Sequence, residues 1–261
     1  MGATSSPESQ NWQRFAAAAR AAGMDPADRW VGGYVDYEWH HLRPLLAAYG
    51  ADVRGCSAME FGCNVGASGV VMARLGAQVT GIDVDAAHVR IAESNIALHD
   101  VGDRARALHV PDTRAMPFAD GSFDFVLANS VLEYVAPAQL DAVISELHRV
   151  LVPGSLMLVC GTASRLAPRE VHSGRWLVNY LPRGMDRLTG RQLQRGLSPR
   201  HLARTLQGRF EVILPDRWLA ARRAIHGDPS LAVRVVDRLG RALGIAPGWL
   251  GPNIELLLRR L

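Results

Sequence analysis

The sequence predicts an α/β protein built on a doubly wound parallel sheet, and three observations predict it. Between residues 51 and 162, short apolar runs alternate with amphipathic stretches of helical length. Such alternation joins parallel strands through helical crossovers. A glycine-bearing loop, "GCNVG" at 62–66, directly follows the first run. Asp83 and Asp112 stand just beyond the second and third. A chain of 261 residues suffices for one such domain with additions.

Taken in order, the polar tail "MGATSSPESQ" gives way to "WQRFAAAARAA", a helix stopped at Gly23. "DYEWHHLRPLLAAYG" reads as a second helix ended by Gly50. Strands follow at "CSAMEF", "AQVTGID", "RALHV", "FDFVLAN" and "SLMLVCG", with helices over 67–75, 86–99 and 137–150. After Gly161 the rhythm breaks: residues 163–197 are rich in arginine, with Trp176, Tyr180 and Pro182 and only weak periodicity. Ser198-Pro199 then starts a helix as cap and first-turn residues, and Gly208 ends it. "FEVIL" and "NIELLLRR" supply two more strands, with the basic amphipathic stretch 231–245 between them. The expected organisation is a tail with N-terminal helices (1–50), a ligand-binding core (51–162), a basic lid (163–197) and the rest of the same domain (198–261).

Composition narrows the functional classes. No apolar run approaches the roughly 20 residues that span a bilayer, and the N-terminus lacks a secretion-signal pattern. The three cysteines have no Cys-x-x-Cys spacing, which argues against a disulfide framework or zinc site and for a reducing cytoplasm. All 29 basic residues are arginine, and they are unevenly spread. Residues 1–162 carry net charge −7, residues 163–223 carry +9 and the remainder +2. An acidic body beside a basic insert suits an acidic or phosphate-bearing partner, or simply a solvated surface.

In an open parallel sheet, ligands bind beyond the carboxyl ends of the strands. Gly62, Asn64 and Gly66 fall there, ahead of a helix whose amides can meet a polar group. Asn64 tolerates the left-handed backbone that a loop glycine would adopt. The spacing G-x-N-x-G departs from the dinucleotide pattern G-x-G-x-x-G, so a nicotinamide cofactor fits poorly. Asp83 can accept both hydroxyls of a ribose, and Asp112 an adenine amino proton. Either acid alone is more often a helix cap or loop residue; in this order, each at a strand's end, they describe a nucleoside cradle.

"EFGCNVGASG", "VTGIDVD", "VPDTRAMPFADGSFDFVLANSVLEYV" and "LDAVISELHRVLVPGSLMLV" together resemble the successive motifs of class I S-adenosylmethionine-dependent methyltransferases over residues 55–162. The resemblance implies a seven-stranded, mostly parallel Rossmann-like sheet with an antiparallel last strand, and S-adenosylmethionine as cofactor with no metal. It implies that Glu60, Gly62, Cys63, Asn64 and Gly66 shape the methionine end of the pocket. Asp83 and Val84 would hold the ribose, Asp112 and Thr113 the adenine edge, and Asn129 would lie beside the transferred methyl. Asn64 is a departure from the family's glycine-rich loop.

Methyl transfer to a hydroxyl requires in-line alignment, exclusion of water and removal of one proton. Candidate bases are His172 in "REVHSGRWLVNYLPR", Tyr134, and His40 or His41 in the second helix. His172 is favoured because it lies in the lid and titrates near neutrality. Tyr34 and Tyr37 could close over the cofactor. Trp176 and Tyr180, four apart, would share a helical face beside Arg175 and Arg183, suited to a sugar, nucleotide or lipid head group. The 231–245 stretch is expected to pack on the sheet, with peripheral contact to anionic lipid as the other use.

The expected function is methylation of a hydroxyl on a small molecule, sugar, or glycan- or lipid-linked acceptor. Methylation of RNA is an alternative that the +9 segment encourages. "ANSVLEY" weighs against nucleic acid, since it lacks the Asn/Asp-Pro-Pro-aromatic signature of amine methylases, and the Pro-Cys of cytosine-C5 enzymes is missing too. A non-catalytic nucleoside-binding protein is a third reading.

Overall fold

A computed structural model of the chain describes residues 7–186 and 193–261. The tail residues 1–6 and residues 187–192 of the insert lie outside the described residues. Seven strands form one sheet: β1 (Ser57–Phe61), β2 (Gln78–Asp83), β3 (Ala105–His109), β4 (Phe123–Asn129), β5 (Leu151–Ala163), β6 (Phe210–Ile213) and β7 (Asn253–Arg260). Their order is β3-β2-β1-β4-β5-β7-β6. The first five strands pair in parallel, while β7 runs antiparallel to both β5 and β6. This is the seven-stranded, mostly parallel sheet with an antiparallel last strand that the resemblance implies.

Apolar faces explain the layering. Strands β1, β2 and β4 are buried along nearly their whole length, as parallel strands covered on both sides must be. Helices α1 (Pro7–Ala21), α2 (Tyr34–Tyr49), α3 (Ala67–Arg74) and α4 (Ala86–Leu98) contribute to one core that includes Phe15, Leu42, Val70 and Ile91. Helices α5 (Leu140–Val150) and α6 (Pro199–Leu206) contribute to the other, with Met59, Ile144, Leu147 and Leu202. On α5 the buried set Leu140, Val143, Ile144, Leu147 and Val150 recurs at helical spacing. Each such side chain contributes about 1.5–3 kcal/mol relative to exposure. Asp85 caps α4 by accepting from the Ala87 amide at 2.7 Å, and Ser198 caps α6 through the His201 amide.

Several elements differ from the sequence expectation. Helix α1 begins at Pro7, because proline fits a first turn whose amides have no intrahelical partner. Helix α5 begins at Leu140 after a turn closed from Gln139 N to Ala136 O at 2.8 Å. A helix that the sequence did not announce, α7 (Trp218–His226), packs against α2. Helix α8 (Leu231–Leu243) follows it.

The insert closes on itself. Arg165 N donates to Leu197 O at 2.8 Å and Leu197 N donates to Ala163 O at 2.7 Å, joining its two ends. Buried Asn179 donates to Ala167 O and accepts from Gly196 N, both at 2.8 Å. Three of the insert's arginines, Arg165, Arg169 and Arg195, are internal staples. Buried Arg195 pairs with Asp186 at 2.7 Å and donates to Leu181 O and Pro182 O. Arg165 reaches Asn179 O at 2.7 Å, and Arg169 reaches Gly174 O at 3.0 Å. Trp176 and Tyr180 do not share a helical face: Leu177 between them is left-handed, with φ +62°, and only a single 3-10 turn follows at Val178–Tyr180.

Candidate active site

The strand order reverses between β1 and β4, and a cavity of about 1000 Å³ opens beyond their carboxyl ends. Gly62 and Asn64 line it. Gly62 has φ +74°, and a Cβ there would meet Val131 Cγ2 at 2.2 Å, so only glycine fits. Asn64 is left-handed with φ +47°. Gly66 and Cys63 sit behind the loop surface rather than among the cavity-lining residues. Burial pushes the Cys63 thiol up, which opposes a nucleophilic role. Glu60, fully buried beneath the loop, accepts from the Gly69 amide at 2.9 Å. Burial raises its carboxyl to about 8.

Asp83 ends β2 at the cavity wall. Its Oδ2 accepts from the Asn64 amide and its Oδ1 from the Asp85 amide, each at 2.9 Å. His88 Nδ1 lies 3.5 Å from Oδ1. Burial pushes this carboxyl up, but those hydrogen bonds outweigh it and hold Asp83 below the usual range. Val84, His88 and Thr113 line the same end. Asp112 is turned away, exposed and bridged to its neighbour Arg114 at 2.8 Å, which lowers it to about 2.

Deeper in, Asn129 at the end of β4 donates to Glu38 Oε1 at 3.0 Å and to Ser68 Oγ at 3.2 Å. Glu38 comes from α2 and is almost wholly buried, and Tyr34 from the same helix hydrogen-bonds to it. Burial beside that acid raises the Tyr34 phenol. Glu38 Oε2, His41 Nδ1, Asn64 Oδ1 and Asn253 Oδ1 are buried without a hydrogen-bond partner among the described residues, the first two lying 3.8 Å from each other, and all four residues line the cavity. Buried polar atoms are normally paired, so this wall is built for a ligand rich in hydrogen-bonding groups. The acid at the end of β2, the loop without room for a Cβ and these unmatched polar atoms together fit a methionine-nucleoside.

At the other end stands part of the insert, with His172. His172 Nε2 lies 3.0 Å from Glu133 Oε1, and Tyr134 packs against the imidazole at 5.6 Å between ring centroids. Glu133 is buried and also accepts from the Ala163 amide at 3.0 Å. The His172 turn is held by buried Glu170, which accepts from the His172 and Ser173 amides. The Glu133 hydrogen bond raises His172 above the usual histidine value, against the opposing effect of burial. Burial, with Glu133 and Glu170 nearby, pushes the Tyr134 phenol up to about 12, so it stays protonated at neutral pH.

His172, Tyr134, Asn129, Asn64, Gly62, Asp83, Val84 and Thr113 are thus gathered on one cavity, whereas Glu60, Cys63, Gly66 and Asp112 are not among its lining residues. His41 lines it and His40 is exposed on α2. Trp30, Tyr34 and Tyr37 form an aromatic wall with ring centroids 4.9 to 5.8 Å apart, and Arg29 lies over Trp30. Trp176 and Tyr180 are elsewhere. Glu133 and Glu38 escaped the sequence reading; a lone acid before Tyr134 and another in an amphipathic helix carry no spacing signal. Among the described residues, no three His, Cys, Asp or Glu side chains form a metal-holding group, and no helix is long and apolar enough to cross a membrane.

Comparison with known proteins agrees with this geometry. Residues 59–159 match the methyltransferase domain family. A sterol 4-C-methyltransferase of Caenorhabditis elegans is 32% identical over 101 residues, 39% of this chain and 29% of that one. A ubiquinone biosynthesis O-methyltransferase of Maricaulis maris is 32% identical over 136 residues, 51% of this chain and 52% of that one. The chain therefore spans about half the length of the second relative and less of the first. The cyclase SpnF is similar in fold, with TM-score 0.55, 20% identity and coverage of 98% of this chain and 97% of that one. Domain match, relatives and sheet order concur: residues 59–159 match a methyltransferase domain, and the chain is similar to S-adenosylmethionine-dependent methyltransferases.

Proposed function

We propose that the protein transfers a methyl group to a hydroxyl of a planar, uncharged small molecule, with His172 as the base. One observation carries the reading: a histidine backed by a buried carboxylate stands on the same cavity as Asp83. When bound, S-adenosylmethionine supplies an electrophilic methyl carbon on its sulfonium. Asp83 accepts the ribose hydroxyls, while Val84 and Thr113 flank the nucleoside. Glu60, Cys63 and Gly66 act from behind, keeping the loop in shape. Asn129, fixed by Glu38 and Ser68, lies between the two ends of the cavity. The Glu133 carboxylate selects the tautomer with the proton on His172 Nε2, which leaves Nδ1 to take the acceptor's proton. Tyr134, protonated, positions the imidazole and donates rather than accepts.

The aromatic wall of Trp30, Tyr34 and Tyr37 supports a planar acceptor. No arginine lines the cavity among the described residues, and Arg165, Arg169 and Arg195 are engaged within the insert. Both facts favour an uncharged acceptor over a phosphate-bearing one or RNA. The O-methyltransferase name of one relative points the same way. Three free thiols suit a reducing cytoplasm.

The test is turnover of phenolic and quinol acceptors, read as S-adenosylhomocysteine formed. His172→Ala is expected to lower the rate ~100-fold or more with cofactor affinity kept. An unchanged rate removes His172 as base. Tight cofactor binding with no turnover of any acceptor favours the nucleoside-binding reading.

A further inference from the structure

Helix α8 is amphipathic in an unusual direction. Its buried residues are Asp237 and Gly240, while Leu231, Val235, Leu239 and Leu243 are 75%, 42%, 51% and 64% exposed. The helix cannot rotate to bury them. A Cβ on Gly240 would meet Ile245 O at 2.7 Å and Pro247 Cγ at 3.0 Å, so that face lies tight against the chain that follows. Asp237, inward beside it, pairs with Arg241 at 2.9 Å. Ser230 and Gly244 cap the two ends, so the helix is a finished element and not a frayed one. The expectation that its apolar side packs on the sheet is therefore corrected: that side faces outward.

At 100° per residue the four aliphatic side chains occupy one arc, with Arg238 and then Arg234 along one edge. The helix's single acid is buried and already paired, so the charge it offers to solvent is positive. We propose that α8 is a docking element that lays its leucine stripe into an anionic lipid surface, with Arg234 and Arg238 at the phosphate level. An apolar arc rimmed by cations is the pattern of an interfacial helix. Four aliphatic side chains on a helix of 13 residues fall short of the roughly 800 Å² per partner of a stable protein interface. Among the described residues the rim also lacks the tyrosine and tryptophan anchors of a protein hot spot. The proposal is independent of the methyl acceptor.

The experiment is co-sedimentation of the full chain with phosphatidylcholine vesicles and with vesicles containing about a third phosphatidylglycerol. Binding is expected only to the anionic vesicles, and to weaken as salt rises. Leu239→Glu with Leu243→Glu is expected to lower partitioning ~10-fold or more. Arg234→Gln with Arg238→Gln should do the same on anionic vesicles. S-adenosylhomocysteine affinity kept in both variants confirms that they fold. Absence of binding to anionic vesicles, or equal binding by the leucine variant, overturns the proposal. So does a dimer that the leucine variant dissociates and vesicles do not compete away, since the stripe is then a seam between copies.

Discussion

Glu133 accepts from both the His172 imidazole and the Ala163 amide, so this histidine of the insert is tied to the same carboxylate that holds the end of β5. Its hydrogen bond raises His172 above the ordinary 6.5. A base must be neutral, so methyl transfer is expected to rise with pH through a midpoint above 6.5. Glu133→Gln should move that midpoint down and lower the plateau, as a pH–rate profile of both proteins would reveal. The stability contribution has the opposite sign: it is complete below the unfolded value and is lost as pH rises through the folded one. Asp83→Ala removes a charged acceptor from the proposed ribose position and is expected to weaken cofactor binding by about 2–4 kcal/mol, measured by calorimetry with S-adenosylhomocysteine. That Asp83 and His172 stand on one cavity was legible because their types suit the chemistry at their places in the chain. Glu133 and Glu38 were not, because their partners His172 and Asn129 are 39 and 91 residues away.

The glycine loop shows how one element sets the position of another. Gly62 leaves room for Val131, which follows β4, and the two stand together on the cavity wall. Gly62→Ala is expected to cost about 1–3 kcal/mol of stability, from a strained positive φ together with overpacking against Val131. Urea unfolding would measure the loss, and a variant as stable as the wild type would contradict the packing described. This loop, the capped α4 and α6 and the regular strands were readable from local signals, since caps and glycines act within a few residues. Helix α7 carried none: its buried residues are only Trp218 and Ala221, too few for a helical period. In the insert, Arg165 and Arg195 hold backbone carbonyls, contacts that sequence spacing cannot announce.

At the scale of the molecule, the alternation of strand and helix from 51 to 162 fixed the parallel half of the sheet. The antiparallel run of the last strand came from resemblance, and its place between β5 and β6 from the structure, since nothing in "NIELLLRR" states its neighbours. Deleting residues 253–261 is expected to abolish cooperative unfolding, because β6 then loses its sheet partner and β5 one edge. A cooperative melt from the shortened chain would mean that β7 is dispensable. The same topology sets a schedule for a chain made on the ribosome. Helices α1 to α5 and strands β1 to β5 can assemble while synthesis continues, but β6 must wait unpaired until the segment beyond residue 252 has emerged. Asn253 belongs to the cavity wall, so the pocket is complete only once that final strand has slotted in, and a nascent chain stalled before it would carry a half-built sheet and an open site.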